Sequence, residues 1–297
     1  MLTKSVLIHD LTSLRTFREE WQTKKSRVAF VPTMGSLHQG HLSLVDIAKT
    51  LAEHVVVSIF VNPLQFAPHE DFAQYPRQIE KDFKLLEERG VNVVYAPTVE
   101  QIYPNGQQAQ TLIEVPTISK ILCGVSRPHF FQGVTTVVCK LLNSVRPHFA
   151  LFGQKDYQQL MVIKRMVSDL CIPTEIIGAP IVREADGLAM SSRNIYLSLE
   201  ERSSAPMLYK TLLNIRDRIQ QGAIDIQQLL KEANESLLKA GFKPDYIEIY
   251  RAADLTAPQL SDEQWIVLGA VWLGKTRLID NVLINFAGRN GQQPKAD

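Results

Sequence analysis

The chain has 297 residues, 45% hydrophobic and 21% charged, with 32 lysines and arginines against 31 aspartates and glutamates for a net charge of +1. This composition suits one large packed domain or two modest ones, excludes an intrinsically disordered chain, and offers no clustered basic face for nucleic acid. No apolar run approaches the roughly 20 residues of a membrane helix, and residues 1–11 lack the apolar core of a secretory leader. A soluble, cytoplasmic protein is therefore expected. Cys123, Cys139 and Cys171 have no metal-ligand spacing and are expected as buried thiols.

Residues 27–33 (R-V-A-F-V-P-T) form a short apolar run closed by proline and predict a buried strand. Leu42, Val45, Ala48 and Ala52 then lie on one stripe of a helix. Residues 55–61 (V-V-V-S-I-F-V) are apolar on both faces, as a central parallel strand must be. A second helix is expected over residues 77–89, with Ile79, Phe83 and Leu86 inward and Gly90 as its stop. A strand over 91–96, a helix marked by Val134 to Val145, a strand over 148–152, a helix over 157–171 and a strand over 174–178 follow. The alternation predicts parallel βαβ units in a doubly wound α/β sheet.

The second half reads differently. Residues 181–183, Asp186-Gly187 and Leu188 suggest a hairpin, and Ser198-Leu199-Glu200-Glu201 a capping box that starts a helix. A helix over 225–240 precedes antiparallel strands over 246–250, 265–273 and 276–284. A boundary near 178–180 divides a first domain, 1–179, from a smaller α+β domain, 180–297, whose residues 289–297 read as a loose tail.

Three clusters carry chemistry. Pro32-Thr33-Met34-Gly35-Ser36-Leu37-His38-Gln39-Gly40-His41 joins the first confident strand to its helix, where backbone N–H groups and the positive dipole end seat phosphate. His38 and His41, three apart, share one face of the first turn and can donate to phosphate oxygens. Two structural histidines capping the turn, or a metal pair with no evident third ligand, are the alternatives. The segment is neither a Walker A loop nor a G-x-G-x-x-G fingerprint. Gly153-Gln154-Lys155-Asp156 follows another strand; Lys155 can reach phosphates, while Asp156 either caps the helix, the favoured role, or holds a cation. Met190-Ser191-Ser192-Arg193-Asn194 combines hydroxyls with a guanidinium, and read alone it is a surface turn.

Together the clusters resemble a known superfamily. His38-Gln39-Gly40-His41 has the His-x-Gly-His form of the nucleotidyltransferase superfamily, and 190–194 is similar to its Lys-Met-Ser-Lys-Ser signature, with Ala189 in place of the first lysine and Arg193 at the second. The finer resemblance is to the pantothenate synthetase family, the pantoate–β-alanine ligases. It rests on residues 31–41, on Ser58-Ile59-Phe60-Val61-Asn62-Pro63-Leu64-Gln65-Phe66, Tyr75-Pro76-Arg77, Phe152-Gly153-Gln154-Lys155-Asp156-Tyr157-Gln158-Gln159, residues 187–194 and residues 274–281, in matching order over nearly the whole chain.

That resemblance implies a Rossmann-like first domain, a smaller C-terminal lid, a homodimer, and Mg²⁺ with ATP. The reaction implied is attack of pantoate on the α-phosphate of ATP, giving a pantoyl-adenylate and pyrophosphate, and then attack of β-alanine's amine, giving pantothenate and AMP. Carried onto this chain, it places Met34, Gly35, Ser36, Leu37, His38, Gln39, Gly40, His41, Gly153, Gln154, Lys155, Asp156, Val182, Met190, Ser191, Ser192 and Arg193 against ATP. His41 would be the proton donor, with His38, Lys155 and Arg193 beside it in catalysis. Gln65 and Gln159 would hold pantoate, Gln65 near β-alanine as well, with Asn62 and Arg127 lining the pocket; the metal ligands are unassigned. Many members read Arg-Pro-Gly-His-Phe-Arg-Gly-Val where this chain has Arg127-Pro128-His129-Phe130-Phe131-Gln132-Gly133-Val134. A nucleotidyltransferase of the same superfamily and a non-catalytic nucleotide-binding module are the rival readings.

Overall fold

The computed structural model describes residues 4–67, 70–223 and 225–286, so the tail expected over 289–297 lies outside the described residues. Contacts divide the chain into two compact units, one of residues 1–182 with 190–192, the other of residues 183–189 with 193–297.

The first unit holds six strands: β1 (Val6–Ile8), β2 (Val28–Thr33), β3 (His54–Ile59), β4 (Val93–Tyr95), β5 (Phe149–Gly153) and β6 (Glu175–Ala179). All pairings are parallel, in the order β1-β4-β3-β2-β5-β6. The chain builds outward from β2 through β3 and β4, and then resumes on the other side of β2 with β5 and β6. β2 and β5 are thus the pair at which the order reverses, the switch point where open α/β sheets bind ligands. Val28, Ala29, Phe30 and Val31 are all fully buried, because helices cover both faces of an inner parallel strand.

Helices α1 (Leu11–Thr23), α2 (Gln39–Leu51), α3 (Ile79–Glu88), α4 (Val99–Ile102), α5 (Cys123–Ser126), α6 (Phe130–Val145) and α7 (Tyr157–Asp169) complete the unit. Along α2, Leu42, Val45 and Ala48 are buried as the stripe predicts, packing with Ala29, Val31, Val55 and Val57, whereas Ala52 lies beyond the last turn as its C-cap. β1 and α1 are not anticipated by the sequence reading. β1 is a three-residue edge strand, and α1 is started by Asp10, whose carboxylate accepts the Ser13 N–H at 2.8 Å.

In the second unit the hairpin expected after residue 181 reduces to one antiparallel bridge, Arg183 with Ala189. The Ser198–Glu201 capping box forms and starts α8 (Leu199–Ser204), which stops before Pro206; α9 (Met207–Gln220) begins after it. α10 (Ile226–Lys239) and the antiparallel sheet β7 (Lys243–Arg251), β8 (Gln264–Leu273) and β9 (Thr276–Asn285) share one core, centred on Leu212, Ile215, Leu237, Val267, Val271 and Ile284. The expectation of buried thiols holds for Cys123 alone: Cys139 is half-buried and Cys171 exposed.

Candidate active site

The turn after β2 is shaped by backbone geometry first. Gly35 and Ser36 are both left-handed, with φ of 83° and 52°, so the chain reverses within two residues before α2 begins. The free amides that follow do not all point at a ligand. Asp82 of α3, 2% exposed, accepts the N–H of Ser36 through Oδ2 and the N–H of Leu37 through Oδ1, both at 2.8 Å. The N–H of Gly40 donates to Nδ1 of His38 at 3.1 Å, and the N–H of His38 to Nδ1 of His41 at 3.4 Å. Of the backbone donors expected to seat phosphate, those of Ser36, Leu37 and Gly40 are hydrogen-bonded within the protein.

The same bonds fix both imidazoles. With Nδ1 accepting, a neutral ring carries its proton on Nε2 and presents an Nε2–H donor. Desolvation, with the positive charge of Lys155 nearby, pushes His38 down to about 4; desolvation, His38 and Lys155 push His41 down to about 3. The rings lie 4.1 Å apart between centroids. His38, His41 and Lys155 are thus one cluster, with the imidazoles neutral and the lysine carrying the charge.

Their convergence follows from strand order. Because β2 pairs with β5 (Ala29 with Phe149, Phe30 with Ala150), the Met34–His41 turn and the block Gly153-Gln154-Lys155-Asp156 leave the same end of adjacent strands. Asp156 precedes α7 but makes no side-chain capping hydrogen bond, which corrects the favoured capping role. The Gln154 amide donates to the Gly178 carbonyl at 3.4 Å. The third cluster is brought in within the same unit. The Met190 N–H donates to Val182 O at 3.0 Å, Met190 stands beside Gly40, and Ser192 Oγ donates to Ser36 O at 3.0 Å. Ser191 belongs to the same unit, while Arg193 begins the return into the second one.

The residues expected around the organic substrates divide. The Gln65 amide nitrogen sits 2.7 Å from the sulfur of Met34, so the glutamine touches the turn after β2. Gln159 is half-buried on α7. Asn62, 1% exposed, spends its polar atoms within the protein: its amide donates to Gln65 Oε1 and Gly133 O, and its oxygen accepts from Leu64 N and Tyr103 Oη. It orients Gln65 rather than offering free atoms to a ligand. Gly133 is required there, since a Cβ would stand 2.1 Å from Leu64 O.

Arg127, likewise expected to line the pocket, forms a two-pronged pair with Glu70 (2.5 and 2.6 Å), donates to Gln65 O and lies 3.6 Å over the Phe130 ring. Phe130 occupies the position where many pantoate–β-alanine ligases have histidine. His129, where they have glycine, takes the left-handed φ of 70° that glycine adopts without strain.

A parallel sheet whose switch point gathers a His-x-Gly-His turn, a lysine loop and a serine-bearing return defines a Rossmann-type nucleotide-handling α/β enzyme. Comparison with known proteins narrows this class. A family model described as pantoate-beta-alanine ligase matches residues 6–283. The pantothenate synthetase of Shewanella sp. (strain ANA-3) is 52% identical over 272 residues, covering 92% of this chain and 96% of that one. That of Pseudomonas aeruginosa (strain UCBPP-PA14) is 49% identical over 279 residues, covering 94% and 99%. The crystal structure of the Thermus thermophilus enzyme matches with a TM-score of 0.85 at 45% identity, over 93% of this chain and 98% of that one. The Francisella tularensis pantoate-beta-alanine ligase, crystallised with beta-gamma ATP and beta-alanine, matches with a TM-score of 0.77 at 36% identity, over 94% and 97%. The chain belongs to the pantoate–β-alanine ligase family.

Proposed function

We propose that the chain joins (R)-pantoate to β-alanine at the expense of ATP, forming pantothenate, AMP and pyrophosphate through a pantoyl-adenylate. One observation carries the reading most directly. Met34 of the nucleotide turn touches Gln65, the residue assigned to pantoate, while His38 and His41 open the helix beyond it beside Lys155. A carboxylate held by Gln65 and Gln159 is then a neighbour of the triphosphate.

In the first step a pantoate carboxylate oxygen bonds to the α-phosphorus and the bond to the pyrophosphate oxygen breaks. Such a displacement needs alignment and charge neutralisation more than covalent help. Lys155 supplies the fixed positive charge. His38 and His41 supply Nε2–H donors to phosphate oxygens; a neutral imidazole there acts as a hydrogen-bond donor rather than an acid that surrenders a proton. The glutamines grip pantoate without a full counter-charge, which leaves the attacking oxygen nucleophilic. In the second step the free amine of β-alanine attacks the acyl carbon, AMP leaves with the bonding electrons, and the amine proton passes to solvent or phosphate.

Among the described residues no group of three His, Cys, Asp or Glu gathers to make a cation cage. Mg²⁺ arriving with ATP keeps waters and phosphate oxygens as most of its ligands and takes one or two carboxylates from a protein. Asp156, adjacent to Lys155 and not engaged in capping, is the carboxylate that would hold it, and the ion would supply further neutralisation of phosphate charge.

The family pattern also assigns Arg193 to ATP and a lid to the protection of the labile adenylate from water. A homodimeric, cytoplasmic enzyme follows the family pattern. Among the described residues no helix is long and apolar enough to cross a membrane.

Pyrophosphate–ATP exchange tests the proposal. Exchange that requires pantoate, followed by equal yields of AMP and pantothenate on adding β-alanine, is the expected result. Exchange driven by a phosphorylated substrate would instead favour a nucleotidyltransferase, and ATP binding without exchange a binding module.

A further inference from the structure

Asp82 lies outside every sequence block that marks the site. It sits on α3 among the inward-facing Ile79, Phe83 and Leu86, where an apolar residue would complete the stripe. It is instead a carboxylate, 2% exposed, and burial raises its pKa against the opposing pull of two backbone amides. A buried carboxylate persists only where hydrogen bonds offset its lost hydration. Here those bonds run one to each oxygen, from Ser36 N and Leu37 N at 2.8 Å.

The target of those bonds is the double left-handed turn at Gly35 and Ser36. A Cβ on Gly35 would come within 3.0 Å of Asp82 Oδ2, so the glycine and the carboxylate are fitted to each other. The opposite side of the same residue is held as well, since Ser36 O accepts from Ser192 Oγ. The segment between Met34 and His38 is therefore clamped through the N–H of Ser36 on one side and its carbonyl on the other. Met34 faces Gln65 at one end of this segment, and His38 opens α2 at the other.

We infer that Asp82 is a positioning residue for ATP: it fixes the turn that carries Met34 and His38, and acts through Ser36 and Leu37 without touching the nucleotide. The inference rests on the assignment of this turn to ATP.

The test is Asp82→Asn, which keeps the size of the side chain but leaves one oxygen for two amides and turns an NH₂ toward one of them. Loss of one buried hydrogen bond at the turn should raise the KM for ATP, and the Kd of ATP on the enzyme alone, by about tenfold. The KM for pantoate should stay within about twofold. Equal rises in both constants, or no rise in either, would overturn the inference, the first by showing a general loosening of the fold.

Should the variant fail to fold, hydrogen exchange on the wild-type enzyme decides. The Ser36 and Leu37 amides should exchange at least about 100-fold more slowly than solvent-exposed loop amides, as closed hydrogen bonds require; exchange at the exposed rate sinks the proposal. A wild-type enzyme that binds ATP but makes no pantothenate would refute the proposed function, while the ATP Kd and amide exchange would still report on Asp82.

Discussion

The hydroxyl of Ser192 donates to the carbonyl oxygen of Ser36 at 3.0 Å, across a sequence separation of 156 residues. This bond joins the serine-bearing return to the turn that follows β2. Ser192→Ala removes a single hydrogen bond and leaves the partner carbonyl less constrained. The KM for ATP should rise roughly two- to tenfold, with the pantoate KM unchanged. Steady-state kinetics with each substrate varied in turn checks this, and an unaltered ATP constant would make the contact incidental.

His38 and His41 are held neutral by their surroundings, at about 4 and about 3 against an ordinary 6.5. Their ¹⁵N resonances should show the Nε2–H tautomer and no titration between roughly pH 5.5 and 8. A midpoint near 6.5 for either ring would refute the assignment. Because the folded values lie below the unfolded one, the unfolded chain binds more protons across the window from about 3 to 6.5. This contribution to stability is complete above pH 6.5 and is lost as the pH falls toward 4 and then 3. The thermal midpoint should therefore drop with acidification, and less steeply in the His38→Asn, His41→Asn double variant.

Lys155 supplies the cluster's positive charge, and both neighbouring imidazoles register it. Lys155→Ala and His41→Ala should each lower turnover by about 100-fold or more, as loss of a preorganised transition-state contact does. Circular dichroism and thermal melts of Lys155→Ala should remain close to wild type, since Lys155 is half-exposed. Near-normal turnover in both variants would remove them from the mechanism.

Gln158 and Gln159 are adjacent and should behave oppositely. Gln158, 4% exposed, accepts from Cys123 N and donates to Ile118 O and Ile121 O, tying down a segment in which Thr117 and Leu122 adopt φ of 68° and 49°. Gln158→Ala strands these groups and should cost about 3 kcal/mol of stability, read as a lower denaturation midpoint. Gln159→Ala should leave that midpoint in place and raise the pantoate KM. A pantoate dependence indifferent to Gln159 would count against its assignment.

How much was legible varies with how local each signal is. The capping box at Ser198 and Glu201 forms as written, because its two hydrogen bonds span three residues and need no distant partner. The stripe of α2 is visible for the same reason, and β3 announces itself through the valines at 55–57. β1 is three residues at a sheet edge, too short to carry a period. The burial of Asp82 is invisible in sequence, since a lone acid inside a helical pattern reads as a solvated face until the helix packs. The partners of Asn62 and Arg127, Gly133 O with Tyr103 Oη and the carboxylate of Glu70, lie equally beyond any local pattern.

By itself the sequence determined the family and the chemistry of the parts: two imidazoles three apart at a helix start, a lysine after a later strand, glutamines suited to a neutral grip. These depend on residue identity and short spacing, which the chain carries openly. Only the tertiary structure decided that β2 and β5 lie side by side, that backbone amides turn inward to Asp82 and the histidines, and that both rings are neutral. Strand order and desolvation arise from contacts between residues far apart in the chain, and no local pattern encodes which distant partner will remove a group from water.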